Sequence, residues 1–125
     1  MNKLLKIDSI MYRVSDLEKA RVFYRDVLGL KQVWEDKAEK MIGFVFMESD
    51  SEIVIHANSS LPKFDHSYLV ENVEAFCREI KERGYGVILE PTQVRTGKYA
   101  IISDTDGNEI PVIDLTKFDG KPRYD

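Results

Sequence analysis

The feature that most restricts what this chain can fold into is a repeat inside it. The segment Ile10-Met-Tyr-Arg-Val-Ser-Asp-Leu-Glu-Lys-Ala returns as His66-Ser-Tyr-Leu-Val-Glu-Asn-Val-Glu-Ala-Phe. One constant shift pairs Tyr12 with Tyr68, Val14 with Val70, Asp16 with Asn72 and Glu18 with Glu74. Each copy is a strand pattern that runs directly into a helix pattern.

In the first copy Ile10, Tyr12 and Val14 alternate with Met11 and Arg13, the period of a strand with one packed face. Ser15 or Asp16 offers an N-cap, and Ser15 with Glu18 fits a capping box. Leu17, Ala20, Phe23, Tyr24, Val27 and Leu28 then recur at helical spacing and predict one apolar face, with Gly29 as the stop. The second copy follows the same plan. Tyr68 and Val70 are its packed strand positions, Asn72 its cap, Val73, Phe76, Cys77 and Ile80 its stripe, and Gly84 its stop.

Three strand patterns follow each helix, at about 31–35, 41–48 and 52–57 and again at about 86–90, 97–103 and 109–114. Asp50-Ser51 and Thr105-Asp-Gly-Asn108 supply the last turns, the latter a strong hairpin signal. A longer loop is expected from Pro91 and Thr92 through Gly97. The expected fold class is α+β: two βαβββ modules in tandem, forming a curved mixed sheet around a cleft. The whole chain reads as one domain. Module one covers about 5–58, a linker 59–64, module two about 65–115, and a polar tail 116–125.

Composition narrows the partners. Net charge is −4 and no run of Lys and Arg stands out, so nucleic acid is not an expected partner. No segment approaches the ~20 apolar residues of a membrane span, so no membrane association and a cytoplasmic location are expected. The single cysteine, Cys77, has no second cysteine to pair with and lies in an apolar stripe.

The order of elements, together with Val14-Ser-Asp-Leu17, Phe23-Tyr24, Leu28-Gly-Leu30 and the turn Asp104-Thr-Asp-Gly-Asn108, resembles the vicinal-oxygen-chelate superfamily. This superfamily includes glyoxalase I, bleomycin-resistance proteins, fosfomycin-resistance enzymes and extradiol dioxygenases. The resemblance runs from about Ile7 to Leu115. It is specific for fold and less so for activity, because one fold hosts many functions.

The resemblance implies a divalent metal held at four positions, which here are Ser9, Val54, Asp65 and Pro111. Such an ion needs converging carboxylates or imidazoles, and only Asp65 supplies one. No cofactor is therefore expected. A divalent metal stays open as an alternative, through His66 after a change of strand register, or through His56 and Asp65 with Glu52 or Glu109. A Ser9-His56-Asp65 nucleophile system has no support in the spacing.

Strand parity places Ser9, Met11 and Arg13, and by the repeat Asp65, Ser67 and Leu69, on the faces turned away from the helices. Val54, His56, Tyr99, Pro111 and Ile113 are expected to join them, with Trp34 on a cleft wall or a dimer seam. The candidate ligand-binding residues are thus Ser9, Met11, Arg13, Trp34, His56, Asp65, Ser67 and Tyr99, with His56 and Asp65 the candidate catalytic pair. The expected function is metal-independent binding of a small organic molecule, as in bleomycin-resistance proteins. The alternative is an enzyme of the superfamily (a lyase, isomerase, dioxygenase or thiol transferase) with a non-standard metal or acid–base site. Small members of this family often pair, so a homodimer is expected.

Overall fold

The computed structural model describes residues 3–119. Its strands and helices are β1 Lys6–Arg13, α1 Leu17–Val22, β2 Lys31–Asp36, β3 Met41–Val45, β4 Glu52–His56, β5 Phe64–Leu69, α2 Val73–Glu82, β6 Val87–Gln93, β7 Lys98–Ser103 and β8 Glu109–Ile113. This is the α+β class, and the βαβββ order occurs twice. The chain divides into two compact units. The first holds Ser9–His66, and the second takes the residues up to Asp8 and from Ser67 onward, so the division passes through β1 and β5.

In the first unit the strand order is β2-β3-β4-β1. β1 runs parallel to β4 and the other neighbours are antiparallel. In the second unit the order is β5-β8-β7-β6, again with one parallel pair, β5 with β8. The repeat extends to register. Tyr12 pairs with Ile55 in the first unit, and its counterpart Tyr68 pairs with Val112 in the second.

Each helix covers one face of its own strands. Leu30, Ile42, Phe44 and Ile55 form a buried cluster with Val14, Leu17, Ala20, Tyr24 and Ile53 packed against it. Tyr24 stacks on Phe44 at 6.0 Å between ring centroids, and burial pushes its phenol pKa up. In the second unit Val70, Val73, Phe76, Cys77, Ala100, Ile102 and Val112 do the same work. Cys77 is buried there, and burial raises its thiol pKa, so its role is packing.

Several elements depart from the sequence pattern. The first helix does not run unbroken to Gly29. After Val22 it widens into a π-helical turn, Phe23–Val27, in which the Leu28 N–H donates to the Phe23 carbonyl at 3.0 Å. The extra residue in that turn breaks the apolar stripe. Leu17, Ala20 and Tyr24 pack inward, whereas Phe23, Val27 and Leu28 are exposed. Gly29 still ends the element, at φ +74°. The cap is Asp16, which accepts from the Lys19 N–H. Glu18 pairs with Arg21 instead of closing a box with Ser15.

β3 stops at Val45, where the chain turns back through Phe46 N–H to Ser51 O. β6 runs on through Pro91 and Thr92, which were expected in a loop. It stands at the end of the strand order, where proline is tolerated, and the pairing shifts register between Leu89 and Thr92. The expected polar tail begins with a 3-10 turn, Thr116–Phe118. Residues 120–125 lie outside the described residues.

Asp114 ties the second unit together. It is almost fully buried. Its carboxylate accepts from the N–H groups of Val73 (2.8 Å), Lys98 (2.9 Å) and Thr116 (3.2 Å) and from the Thr116 hydroxyl (2.8 Å). One side chain thus joins the first turn of α2, the start of β7 and the 3-10 turn. Its negative charge also suits a helix N-terminus. Gly97 lets the carboxylate approach, since a Cβ there would overlap it. Asp114→Ala should destabilise the fold by about 3 kcal/mol, because buried N–H groups lose their acceptor. Asp114→Asn, which keeps one acceptor oxygen, should cost less. Denaturant unfolding of the two variants beside the parent checks both.

Candidate functional site

The side of the first unit's strands away from α1 can be read directly from the pairing. Partners in a ladder carry their side chains on the same side. Ser9 pairs with Glu52, Met11 with Val54 and Arg13 with His56. Val45, Gly43 and Met41 stand next to Glu52, Val54 and His56 in turn, and Trp34 stands next to Gly43. Ser9, Met11, Arg13, Trp34, Val54 and His56 therefore share this face. A register shift between Gln32 and Trp34 brings Val33 into the same packing.

The centre of the face is hydrocarbon. Val33, Trp34, Val45 and Val54 are buried, with Met11 and Met41 packed against them. Trp34 lies over Gly43 so closely that a Cβ on residue 43 would overlap its indole. The indole N–H donates to Glu52 Oε1 at 2.7 Å. The polar groups stand toward the ends: Ser9 and Glu52 at one, the exposed Arg13 at the other.

His56, the candidate catalytic histidine, is held by its own loop. It is fully buried. Its Nδ1 accepts from the Asn58 N–H at 3.1 Å, so its Nε2 carries the proton and donates to the Pro62 carbonyl at 2.9 Å. With both nitrogens engaged by backbone groups, it ties the end of β4 to the 57–62 loop. Ser9 stands opposite Glu52, not His56, so the ladder does not bring Ser9 and His56 together as a nucleophile and its base. Asp65 is half-buried, and its Oδ1 accepts from the His66 N–H at 2.8 Å. The His66 ring lies tilted against Phe64, 6.3 Å between centroids.

In the second unit Tyr99 pairs with Ile113, Leu69 with Ile113, and Ile101 with Pro111. Ser67 has the strand parity of Leu69. Ser67, Tyr99 and Pro111 therefore lie on the side away from α2, and Ser67 and Pro111 are buried. Glu109 is exposed at the start of β8.

The four positions implied for a metal carry a hydroxyl at Ser9, an isopropyl group at Val54, a carboxylate at Asp65 and a ring without a donor at Pro111. Val54 lies in the buried cluster with Trp34. Among the described residues no three His, Cys, Asp or Glu side chains come together as a metal-binding group. These residues do not fit a four-ligand metal site.

Tandem βαβββ modules, each with a helix on one face of its own strands, define the class. The family model for the glyoxalase/bleomycin resistance protein/dioxygenase superfamily matches residues 6–112, and the chain belongs to that superfamily. It is 29% identical to the lactoylglutathione lyase of Haemophilus influenzae, over 88% of this chain and 93% of that one. It is 31% identical to a probable lactoylglutathione lyase of Synechocystis, over 82% and 90% of the two chains. Among solved structures, methylmalonyl-CoA epimerase from Mycobacterium tuberculosis shares the fold at a TM-score of 0.64 and 18% identity, with 87% of each chain covered.

The contact that sequence reasoning missed is Trp34 on Gly43. Its signal was a glycine inside a strand pattern, which often marks a close approach by another group, in a chain with a single tryptophan. Gly43→Ala should destabilise the fold by about 1–3 kcal/mol through overpacking. It should also shift the tryptophan emission to longer wavelength as the indole is displaced toward water. Thermal unfolding and fluorescence of the variant read both effects.

Proposed function

We propose that this protein is a metal-independent binder of a small organic molecule, acting in the cytoplasm as a homodimer. The ligand lies on the faces turned away from the helices. In the first unit Ser9, Met11, Arg13, Trp34 and Asp65 contact it, and His56 holds the loop beside them. Ser67 and Tyr99 are the candidate contacts on the second unit's own face. Apolar surface with a few polar groups is the usual make-up of such sites. The observation that carries this reading is Val54: where the resemblance implies a metal ligand, the chain has a valine packed between Met11 and Trp34.

The names of the two relatives favour a second reading, a lactoylglutathione lyase. A lyase needs a group that moves a proton. His56 has both nitrogens engaged, which leaves Asp65 and Glu52 for that task.

The test has three parts. Purified protein exposed to zinc, nickel, manganese or iron and then dialysed should retain only sub-stoichiometric metal. It should show no turnover of lactoylglutathione above background with any of them. A compound screen should yield ligands that raise the unfolding temperature and change Trp34 emission, since a ligand at a hundred times its Kd adds about 2.7 kcal/mol of stability. Arg13→Ala should weaken anionic hits about tenfold, as expected for losing a charge-assisted bond. Stoichiometric metal with chelator-sensitive turnover would sink the proposal in favour of the lyase.

A further inference from the structure

The broken stripe of the first helix has a consequence on the helix side of the strands. Phe23, Val27 and Leu28, placed in the core by their spacing, are 47%, 67% and 50% exposed. Nearby in the same unit, Phe46 and Met47 of the β3–β4 turn are 43% and 76% exposed. Between the end of the π-helical turn and the β3–β4 turn lies a cavity of about 420 Å³, bounded by Leu28, Leu30, Phe46, Met47, Ile53 and Glu48. Ile53 packs with the helix-side cluster, whereas Val54 packs with Trp34. The cavity is therefore on the opposite side of β4 from the face described above.

Its chemistry is specific. The cavity is a groove open to solvent, with room for the body of a small ligand but without the enclosure of a deep pocket. The walls are apolar except for Glu48, an exposed carboxylate. Asp50 adds a second acid to the same turn, within a chain of net charge −4. Met47 brings a flexible, polarisable side chain that adapts to varied apolar shapes. Contiguous exposed apolar surface of this kind marks a place of contact. A π-helical turn, which gives up regular helix packing, recurs at functional positions.

We propose that this cavity is a second binding site, and that it takes a small amphiphile with an alkyl or aryl body and a cationic ammonium head. The body lies on Leu28, Leu30, Phe46 and Ile53 under Met47, and the head pairs with Glu48. The site is independent of the ligand face around Trp34.

Hexyltrimethylammonium, with hexanesulfonate as the anionic control, tests this on the full chain labelled with 13C at the methionine methyl groups. The expected result is a saturable shift of the Met47 methyl with the ammonium compound, with Met11 and Met41 unmoved and hexanesulfonate weaker. Glu48→Gln should weaken binding about threefold, as for an exposed charge pair. Leu28→Ser, a change at an exposed position, should weaken it further while leaving the unfolding temperature close to the parent's. Equal binding of the two probes, or shifts at Met11 and Met41 without Met47, overturns the assignment. It is overturned equally if neither probe binds and Leu28→Ser converts a dimer to a monomer in sedimentation, because the patch is then covered by a second copy of the chain.

Discussion

Burial of β4 on both faces is the constraint on which the rest of the first unit depends. Ile53 and Ile55 face α1 and join Leu30, Ile42 and Phe44 in the main cluster. Val54 faces the other way and joins Trp34, Val33 and Val45. From Val54 to His56 the strand has no side chain left over for water. The parallel pairing with β1 and the antiparallel pairing with β3 carry this alternation outward, so each neighbour inherits one helix-side row and one opposite row. Trp34 settles over Gly43 because the opposite row needs a large apolar group and residue 43 has no Cβ in the way.

The same packing governs the chemistry. A position that can bind a cation must hold a donor whose desolvation is offset by the ion. Val54 and Pro111 hold none, and around Val54 the space is filled by indole and thioether instead. His56, the most obvious titratable group in the sequence on this face, is consumed by two backbone groups. What remains is an apolar surface with Ser9 and Glu52 toward one end and Arg13 toward the other. The relatives named as lyases share the scaffold with this chain, and a scaffold alone does not carry an activity.

The two units solve one problem with different devices. Each must anchor a helix across its strands. The second does so with a full apolar stripe on α2 and with Asp114, whose carboxylate joins the helix start to two other segments. The first has a short α1 and a π-helical turn, held mainly by Leu17, Ala20 and Tyr24. Arg21 adds to this hold, pairing with Glu35 of β2 as well as with Glu18. Those carboxylates also raise its pKa, so it stays charged at any ordinary pH.

The sequence by itself determined the duplication, the order of elements, the α+β class and the parity of the strands. It also determined that of the four implied metal positions only Asp65 carries a carboxylate or imidazole. These are properties of local pattern: alternation of period two, stripes of period 3.6, and the identity of single residues at known offsets. Ser9, Met11, Arg13, Val54 and His56 were placed on one face by counting alone, and the ladder shows them there. Only the tertiary structure decided that His56 is spent on its own loop, that Trp34 needs Gly43, that Asp114 is a hub, and that Phe23, Val27 and Leu28 leave the core. Each of these depends on atoms distant in the chain, or on one extra residue in a helical turn. Periodicity records which residues are apolar, but not which partner arrives to cover them.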